Sequence, residues 1–197
     1  MRLASGLLAI GLGLGATAGW AGPAKTPAFP VQFGGPFELV DHHGQPRSDH
    51  EFRGRFLLLF FGYTHCPDIC PTGLQTITEA LEMLGARAGK LQPLFVSVDP
   101  RRDGPAVLKD YVGNFHPGIL GLTGSEAQVR AAARAYRVHR RKVVPRDAEG
   151  PDDYLVDHGS LTYLMAPDGR FLTLFPFNTT PGSMAKTIAK YLNVESG

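Results

Sequence analysis

Cys66 and Cys70 are the only cysteines in this chain, and both lie within Gly62-Tyr63-Thr64-His65-Cys66-Pro67-Asp68-Ile69-Cys70-Pro71. Thiols at this CxxxC spacing converge on one side of a single turn, close enough to share a soft metal ion or to close into a disulfide. A structural disulfide is the usual use of an even cysteine count in an exported protein. Here it would close so short a loop that chain entropy yields only about 2 kcal/mol, against about 5 for a loop of about 100 residues. It would also tie no distant elements together. The pair therefore reads as a working site, with metal and redox chemistry both open.

The flanking sequence says how the thiols are held. Phe56 to Phe61 is the most apolar run outside the N-terminal segment and predicts a short buried strand; Pro71 to Leu84 carries the spacing of an amphipathic helix. The thiols fall on the strand-to-helix turn. Pro71 suits a first helical position, where its missing N–H has no intrahelical partner to lose, so Cys70 is expected at the helix N-terminus and Cys66 on the approaching loop. Free N–H groups and the positive end of the helix dipole favour thiolate over thiol there.

The remaining elements alternate. Phe37 to Val40, a turn over Asp41 to Pro46 and a return through Phe52 to Gly54 predict a small hairpin ahead of the main sheet. Leu94 to Val98 predicts a second buried strand, Pro105 to Val112 a helix with proline in its first turn, and Ile119 to Leu122 a short strand. Ser125 with Gln128 forms a capping-box pattern opening a helix to about Tyr136. Val138 to Val144 reads as a strand and Pro145 to Asp153 as a polar loop. Leu161 to Met165 and Arg170 to Phe175 flank the turn Ala166-Pro167-Asp168-Gly169, and a last helix follows Thr180-Pro181 to about Leu192. A parallel βαβ start with reactive cysteines at its first strand-helix turn, closed by an antiparallel hairpin and a helix, describes an α/β, thioredoxin-like layered fold with an N-terminal β-hairpin. Chemistry in such a fold concentrates at the carboxyl ends of the parallel strands.

The chain has 197 residues, 43% hydrophobic and 19% charged, enough for one globular domain with a substantial core. Met1-Arg2 followed by the apolar stretch from Leu3 to Ala21 has the short basic start and hydrophobic run of an export signal, and is almost long enough to serve as an uncleaved membrane anchor. Residues 22–32 read as a Pro/Ala linker and residues 33–194 as the folded domain, placed outside the cytoplasm, in the periplasm, either soluble or anchored through residues 3–21. The formal net charge is +2. That balance argues against a nucleic-acid footprint, and the cluster of Arg134, Arg137, Arg140, Arg141 and Lys142 reads as a solvated helix face and strand end.

A stable three-coordinate site on two thiolates needs one more donor, and imidazole suits copper. Of the seven histidines, His42, His43 and His50 fall on or after the hairpin turn and are expected to be solvated. His116 lies in a loop, His139 begins a basic run, and His65 sits beside Cys66 with its ring expected to point away. His158 ends the run Tyr154-Leu155-Val156-Asp157 and precedes Gly159-Ser160 and a core strand, which places it in a loop at the sheet end. Spacing alone does not mark it as a ligand.

Phe61 to Pro71, together with Val96-Ser97-Val98-Asp99-Pro100-Arg101-Arg102-Asp103, Gly121-Leu122-Thr123-Gly124 and Asp157-His158-Gly159, closely resembles the Sco/SenC family, the copper-binding thioredoxin-like proteins of cytochrome c oxidase assembly. The match runs in order from about Phe33 to Leu192. The central motif is specific, because a thioredoxin enzyme would carry CxxC and a proline beside the strand that begins near Leu161. The resemblance implies that Cys66, Cys70 and His158 bind one copper ion, as Cu(I) or Cu(II), and that the protein helps build the dinuclear copper centre of the oxidase. It implies one partner, the copper-bearing subunit of the oxidase; a second, a thioredoxin-like reductant, is expected because metal binding needs both thiolates and an oxidising compartment favours the disulfide. Asp68 looks like the family's acidic position, tuning copper or docking, with helix capping an equal alternative. Asp99 is read as structural. Gly159 stands where many relatives carry Ser.

Two functions from different classes compete. One is a copper metallochaperone, chiefly a binding protein; the other is a thiol-disulfide oxidoreductase or redox sensor using Cys66 and Cys70 as its dithiol on the cysteines of the same partner. Only the first requires His158. A peroxiredoxin-like peroxidase is disfavoured because no Pro-x-x-x-Thr-x-x-Cys arrangement precedes Cys66, and zinc would be one protein ligand short of its usual tetrahedral set.

Overall fold

The computed structural model describes residues 33–194. The export signal or anchor expected over residues 1–21 and the linker over residues 22–32 lie outside them. Among the described residues, no helix is long and apolar enough to cross a membrane.

Strand β3 (Phe56–Gly62) is the axis of the fold. All of its residues are buried, which requires cover on both sheet faces, and each Leu or Phe side chain so placed contributes roughly 1.5–3 kcal/mol. β3 pairs in parallel with β4 (Leu91–Ser97), and β4 in parallel with β5 (Leu120–Thr123). On its other side β3 pairs antiparallel with β8 (Thr162–Met165), which turns back into β9 (Phe171–Phe175). With β1 (Glu38–Asp41) and β2 (Pro46–Ser48) this makes a seven-stranded sheet in the order β2-β1-β5-β4-β3-β8-β9. The expected α/β thioredoxin-like architecture is thus observed.

The N-terminal hairpin is part of the main sheet and not a separate preface to it. β1 pairs antiparallel with β5, Val40 opposite Thr123 and Asp41 opposite Leu122. His42 secures this junction: its backbone N–H donates to the Gly121 carbonyl at 2.9 Å, and its Nδ1 accepts the Gly121 N–H at 2.9 Å. His42 is therefore a partly buried structural residue, contrary to the solvated turn position expected for it, because a strand distant in sequence supplies its partners.

Helix α1 (Ile69–Leu84) buries Cys70, Gly73, Leu74, Ile77, Leu81 and Leu84 on one stripe and packs against β3 and α4 (Pro181–Val194). It begins two positions ahead of the Pro71 start expected; Pro71 is tolerated inside the first turn because N–H groups there have no intrahelical acceptor. Gly73 is required by closeness, since a Cβ there would lie 2.8 Å from the Phe60 ring. α2 (Pro105–Val112) packs on β5, and α3 (Glu126–Ala135) packs near β1, opened by the Ser125–Gln128 capping box that the sequence predicts.

β6 (Arg140–Val143) and β7 (Leu155–His158) form their own two-stranded antiparallel sheet, with Arg140 opposite His158. The loop expected for His158 is thus replaced by the last position of a strand. Short runs bounded by a polar loop give little local warning of pairing, and here the partner is the basic run itself. That run is not merely solvated: Arg140 pairs with Glu126 and Arg141 with Asp157.

Candidate metal centre

β3 ends at Gly62, and the chain turns through Tyr63 to Pro67 before α1 begins. A Cβ on Gly62 would lie 2.8 Å from the Cys70 Sγ and 2.7 Å from the Phe95 ring, so only glycine lets the first helical turn seat its cysteine against the strand end. Cys70 is fully buried, whereas Cys66 remains partly exposed. The turn is braced from below by Asp103, a fully buried carboxylate after β4 that accepts the Thr64 N–H at 3.1 Å, the Thr64 hydroxyl at 2.7 Å and the Ser97 hydroxyl at 2.7 Å. Burial raises the Asp103 carboxyl above the ordinary range despite these donors.

The two sulfurs are electrostatically unequal. A hydrogen bond with the Cys70 side chain and the backbone N–H groups of Asp68, Cys70 and Ile69, against the opposing effect of burial, draw the Cys66 thiol down to about 5. Cys70, paired with Cys66 and enclosed by protein, is pushed strongly up. The helix N-terminus therefore does favour a thiolate, as the sequence predicts, but the sulfur it serves is that of Cys66 on the approach and not that of Cys70 within the helix. The N–H groups at the start of a helix point back beyond the first turn, toward the loop.

His158 completes the cluster. Its Nδ1 lies 2.9 Å from the Gly159 carbonyl, and since a carbonyl can only accept, Nδ1 carries the proton. Nε2 is then the ring nitrogen left to face the sulfurs, within hydrogen-bond reach of the Cys70 Sγ at 3.6 Å. The Cys66 and Cys70 sulfurs and one His158 ring nitrogen all lie within 4.8 Å of one another, and they form the sole group of three or more metal-capable His, Cys, Asp or Glu side chains among the described residues. The three candidate ligands picked out in the sequence are thus brought together, from helix, loop and a separate sheet.

Tyr63 was not singled out by the sequence. Its ring meets the His158 imidazole edge-on at 5.7 Å between centroids, and its hydroxyl takes a hydrogen bond from the Val156 backbone. An aromatic residue directly after a buried strand was the available signal. Asp68 occupies the N-cap position of α1 but makes no side-chain capping bond, which removes the capping alternative for it. His65 turns from the cluster to Thr64, its Nδ1 2.9 Å from the hydroxyl. Gly159 has room for a side chain, the nearest atom to a Cβ being His139 Nδ1 at 4.0 Å.

The site opens into a groove of about 340 Å³ lined by Tyr63, Cys66, Pro67, Ile69, Leu155 and His158, among others. Ile69 and Leu155 on its border are exposed. A second groove, of about 230 Å³, lies by the opposite end of β3, near Phe52, Leu57 and Met165, and holds no such donor set. The chemistry therefore belongs to the carboxyl end of β3.

Comparison with known proteins agrees with this geometry. A family model described as SCO1/SenC matches residues 25–193. Protein SCO2, mitochondrial, of Saccharomyces cerevisiae is 46% identical over 143 residues, covering 72% of this chain and 47% of its own length. This chain thus spans about half the length of that relative. The structure of Bradyrhizobium japonicum ScoI with copper bound has 43% identity and a TM-score of 0.74, covering 81% of this chain and 99% of that one. The structure of BsSco, a member of the Sco family of cytochrome c oxidase assembly proteins with an identified disulfide switch, has 26% identity and a TM-score of 0.63, covering 83% of this chain and 94% of that one.

Proposed function

The chain belongs to the SCO1/SenC family, and from that premise we propose that it is a copper metallochaperone, which binds one copper ion as cargo through Cys66, Cys70 and His158 and delivers it during assembly of the dinuclear copper centre of cytochrome c oxidase. The observation that carries the reading is the convergence of two sulfurs and a ring nitrogen within 4.8 Å, with the Nδ1–H bond to Gly159 leaving Nε2 to face the sulfurs. Soft thiolates suit Cu(I), and the imidazole adds the nitrogen that Cu(II) prefers. Zinc would lack its fourth protein ligand here.

On this reading residues 33–194 are the copper-binding domain, displayed outside the cytoplasm, with residues 1–21 as export signal or anchor and 22–32 as linker. The receiving partner is the copper-bearing subunit of the oxidase. Because metal binding needs both thiolates and an oxidising compartment favours the disulfide, a thioredoxin-like reductant keeps the site open for loading.

One feature favours a second reading, thiol-disulfide exchange with the same partner. Cys66 is accessible and acidic while Cys70 is enclosed behind it. The Cys66 thiolate would attack a partner disulfide, forming a mixed disulfide and expelling one partner thiolate. Cys70 would then give up its proton and attack the Cys66 sulfur, closing the Cys66–Cys70 disulfide and expelling the partner's cysteine as a second thiolate. The dithiol loses two electrons and the partner disulfide gains them.

Cells carrying His158→Ala, compared with cells carrying Cys66→Ser/Cys70→Ser at equal protein abundance, separate the two. Metal delivery predicts that both lose oxidase activity. Near-normal oxidase with His158→Ala and none with the double variant would overturn the metallochaperone reading in favour of the oxidoreductase.

A further inference from the structure

The histidine ends a strand of the β6–β7 sheet and the dithiol sits on the loop and helix that follow β3, so something other than strand pairing must set the distance between them. No strand of the β6–β7 sheet pairs with the seven-stranded sheet. Immediately before β7, however, Tyr154 is buried and tied to the turn that follows β4. Its hydroxyl donates to Asp99 Oδ1 at 2.8 Å. Arg102 grips the same segment: its Nε donates to Asp99 Oδ2 at 2.5 Å, its Nη1 donates to the Asp152 and Tyr154 carbonyls at 2.9 Å each, and its guanidinium lies 3.6 Å from the centre of the Tyr154 ring. A planar guanidinium is the one side chain able to bond a carboxylate, cap two carbonyls and stack on an aromatic ring together.

The same short turn reaches the other half of the site. Asp103, next to Arg102, holds Thr64 through its N–H and its hydroxyl, and Thr64 leads directly into Cys66. Asp99 and Asp103 are themselves linked through Ser97, whose hydroxyl donates to Asp103 and accepts the Asp99 N–H at 3.0 Å. One turn thus holds the loop that carries the thiols with one hand and the strand that carries the imidazole with the other.

We propose that Asp99, Arg102 and Tyr154 form a positioning unit that sets the approach of His158 to the dithiol, and thereby the hold on the nitrogen-requiring form of the copper cargo, while leaving the thiols to the Asp103–Thr64 brace. This deepens the metallochaperone reading and rests on it for its consequence in copper binding. The positioning itself is a property of the metal-free chain. Tyr154→Phe is the informative variant, since it removes the hydroxyl that donates to the Asp99 carboxylate and keeps the ring on which Arg102 stacks. Arg102→Gln removes the fork as well.

The test measures three things on the reduced full chain and the Tyr154→Phe variant, with cooperative unfolding checked in both. The first is the proximity of the His158 ring to the Cys70 Cβ protons by NMR without metal. The second is the dithiol potential against glutathione, and the third is the affinity and electron paramagnetic resonance spectrum of added Cu(II). Weakened His158–Cys70 proximity, an unchanged dithiol potential and Cu(II) affinity lower by about ten-fold or more, the usual scale for a lost outer partner of a metal ligand, are expected. Unchanged proximity in both Tyr154→Phe and Arg102→Gln would overturn the proposal, as would a dithiol potential that shifts along with it, the mark of general loosening. Should His158→Ala leave the Cu(II) spectrum of the parent unchanged, the metallochaperone reading fails, whereas the proximity measurement still decides the positioning claim.

Discussion

The Nε2 of His158 lies 3.6 Å from the Sγ of Cys70, although one residue ends a strand of a separate two-stranded sheet and the other sits inside a helix packed on the main sheet. A structural disulfide would need no such neighbour. An imidazole nitrogen directed at a buried sulfur is what a dithiol gains by having this second sheet folded against it.

The unequal sulfurs predict a pH profile. Cys66 titrates at about 5 in the folded chain against an ordinary value of 9.0. Because the folded value is depressed, the folded state gives up the proton first: this group's contribution to stability is absent below about 5, grows as pH rises toward 9, and is lost again as pH falls through 5. Iodoacetamide should label Cys66 at neutral pH with a midpoint near the acid end and leave Cys70 almost untouched. Cys70→Ala removes the hydrogen bond with Cys66 and should move the Cys66 midpoint upward; an unmoved midpoint would show that the N–H groups alone set it.

Gly62→Ala tests the seating of the helix. The added Cβ meets the Cys70 sulfur and the Phe95 ring, and relief of such overpacking costs typically 1–3 kcal/mol. A lower denaturation midpoint together with altered Cys66 reactivity is expected. Wild-type values for both would mean that α1 shifts freely, against the close contact described.

Much of this arrangement is legible in the sequence, and the part that is not has a common cause. The apolar run Phe56 to Phe61, the capping box at Ser125 and the turn at Asp168-Gly169 announce their elements through local chemistry, and each appears where expected. The sequence leaves His42 solvated because its acceptor and donor belong to Gly121, on a strand far along the chain. The sequence puts His158 in a loop because its strand exists only by pairing with Arg140 to Val143. The service of the helix N–H groups to Cys66, and of Arg102 to Tyr154, depends likewise on three-dimensional direction, which spacing does not carry. The family resemblance, and not periodicity, is what brought His158 forward.

Metal removal should leave a folded protein. The buried strands and helices form a core that includes Leu58, Phe60, Phe95, Leu164 and Ile188, independent of the site, so the reduced apo-domain should unfold cooperatively. Copper should then raise Tm by mass action in proportion to its concentration above Kd. Loss of cooperative unfolding on chelation would instead mark a fold built around its metal.

Redox state should gate loading. Closing the Cys66–Cys70 disulfide removes two of the three donors, so the oxidised chain should bind Cu(I) far more weakly than the reduced one. Equal affinities before and after oxidation, with thiols counted in each sample, would contradict this.

The central claim is that one copper is held by Cys66, Cys70 and His158 together, and X-ray absorption at the copper edge reads that donor set directly. The reduced full chain loaded with one equivalent of Cu(I) should show two sulfur donors and one imidazole nitrogen, and His158→Ala should retain the sulfurs and lose the nitrogen. A spectrum with sulfur donors alone in the parent chain, or an imidazole signal that survives His158→Ala, would contradict the account.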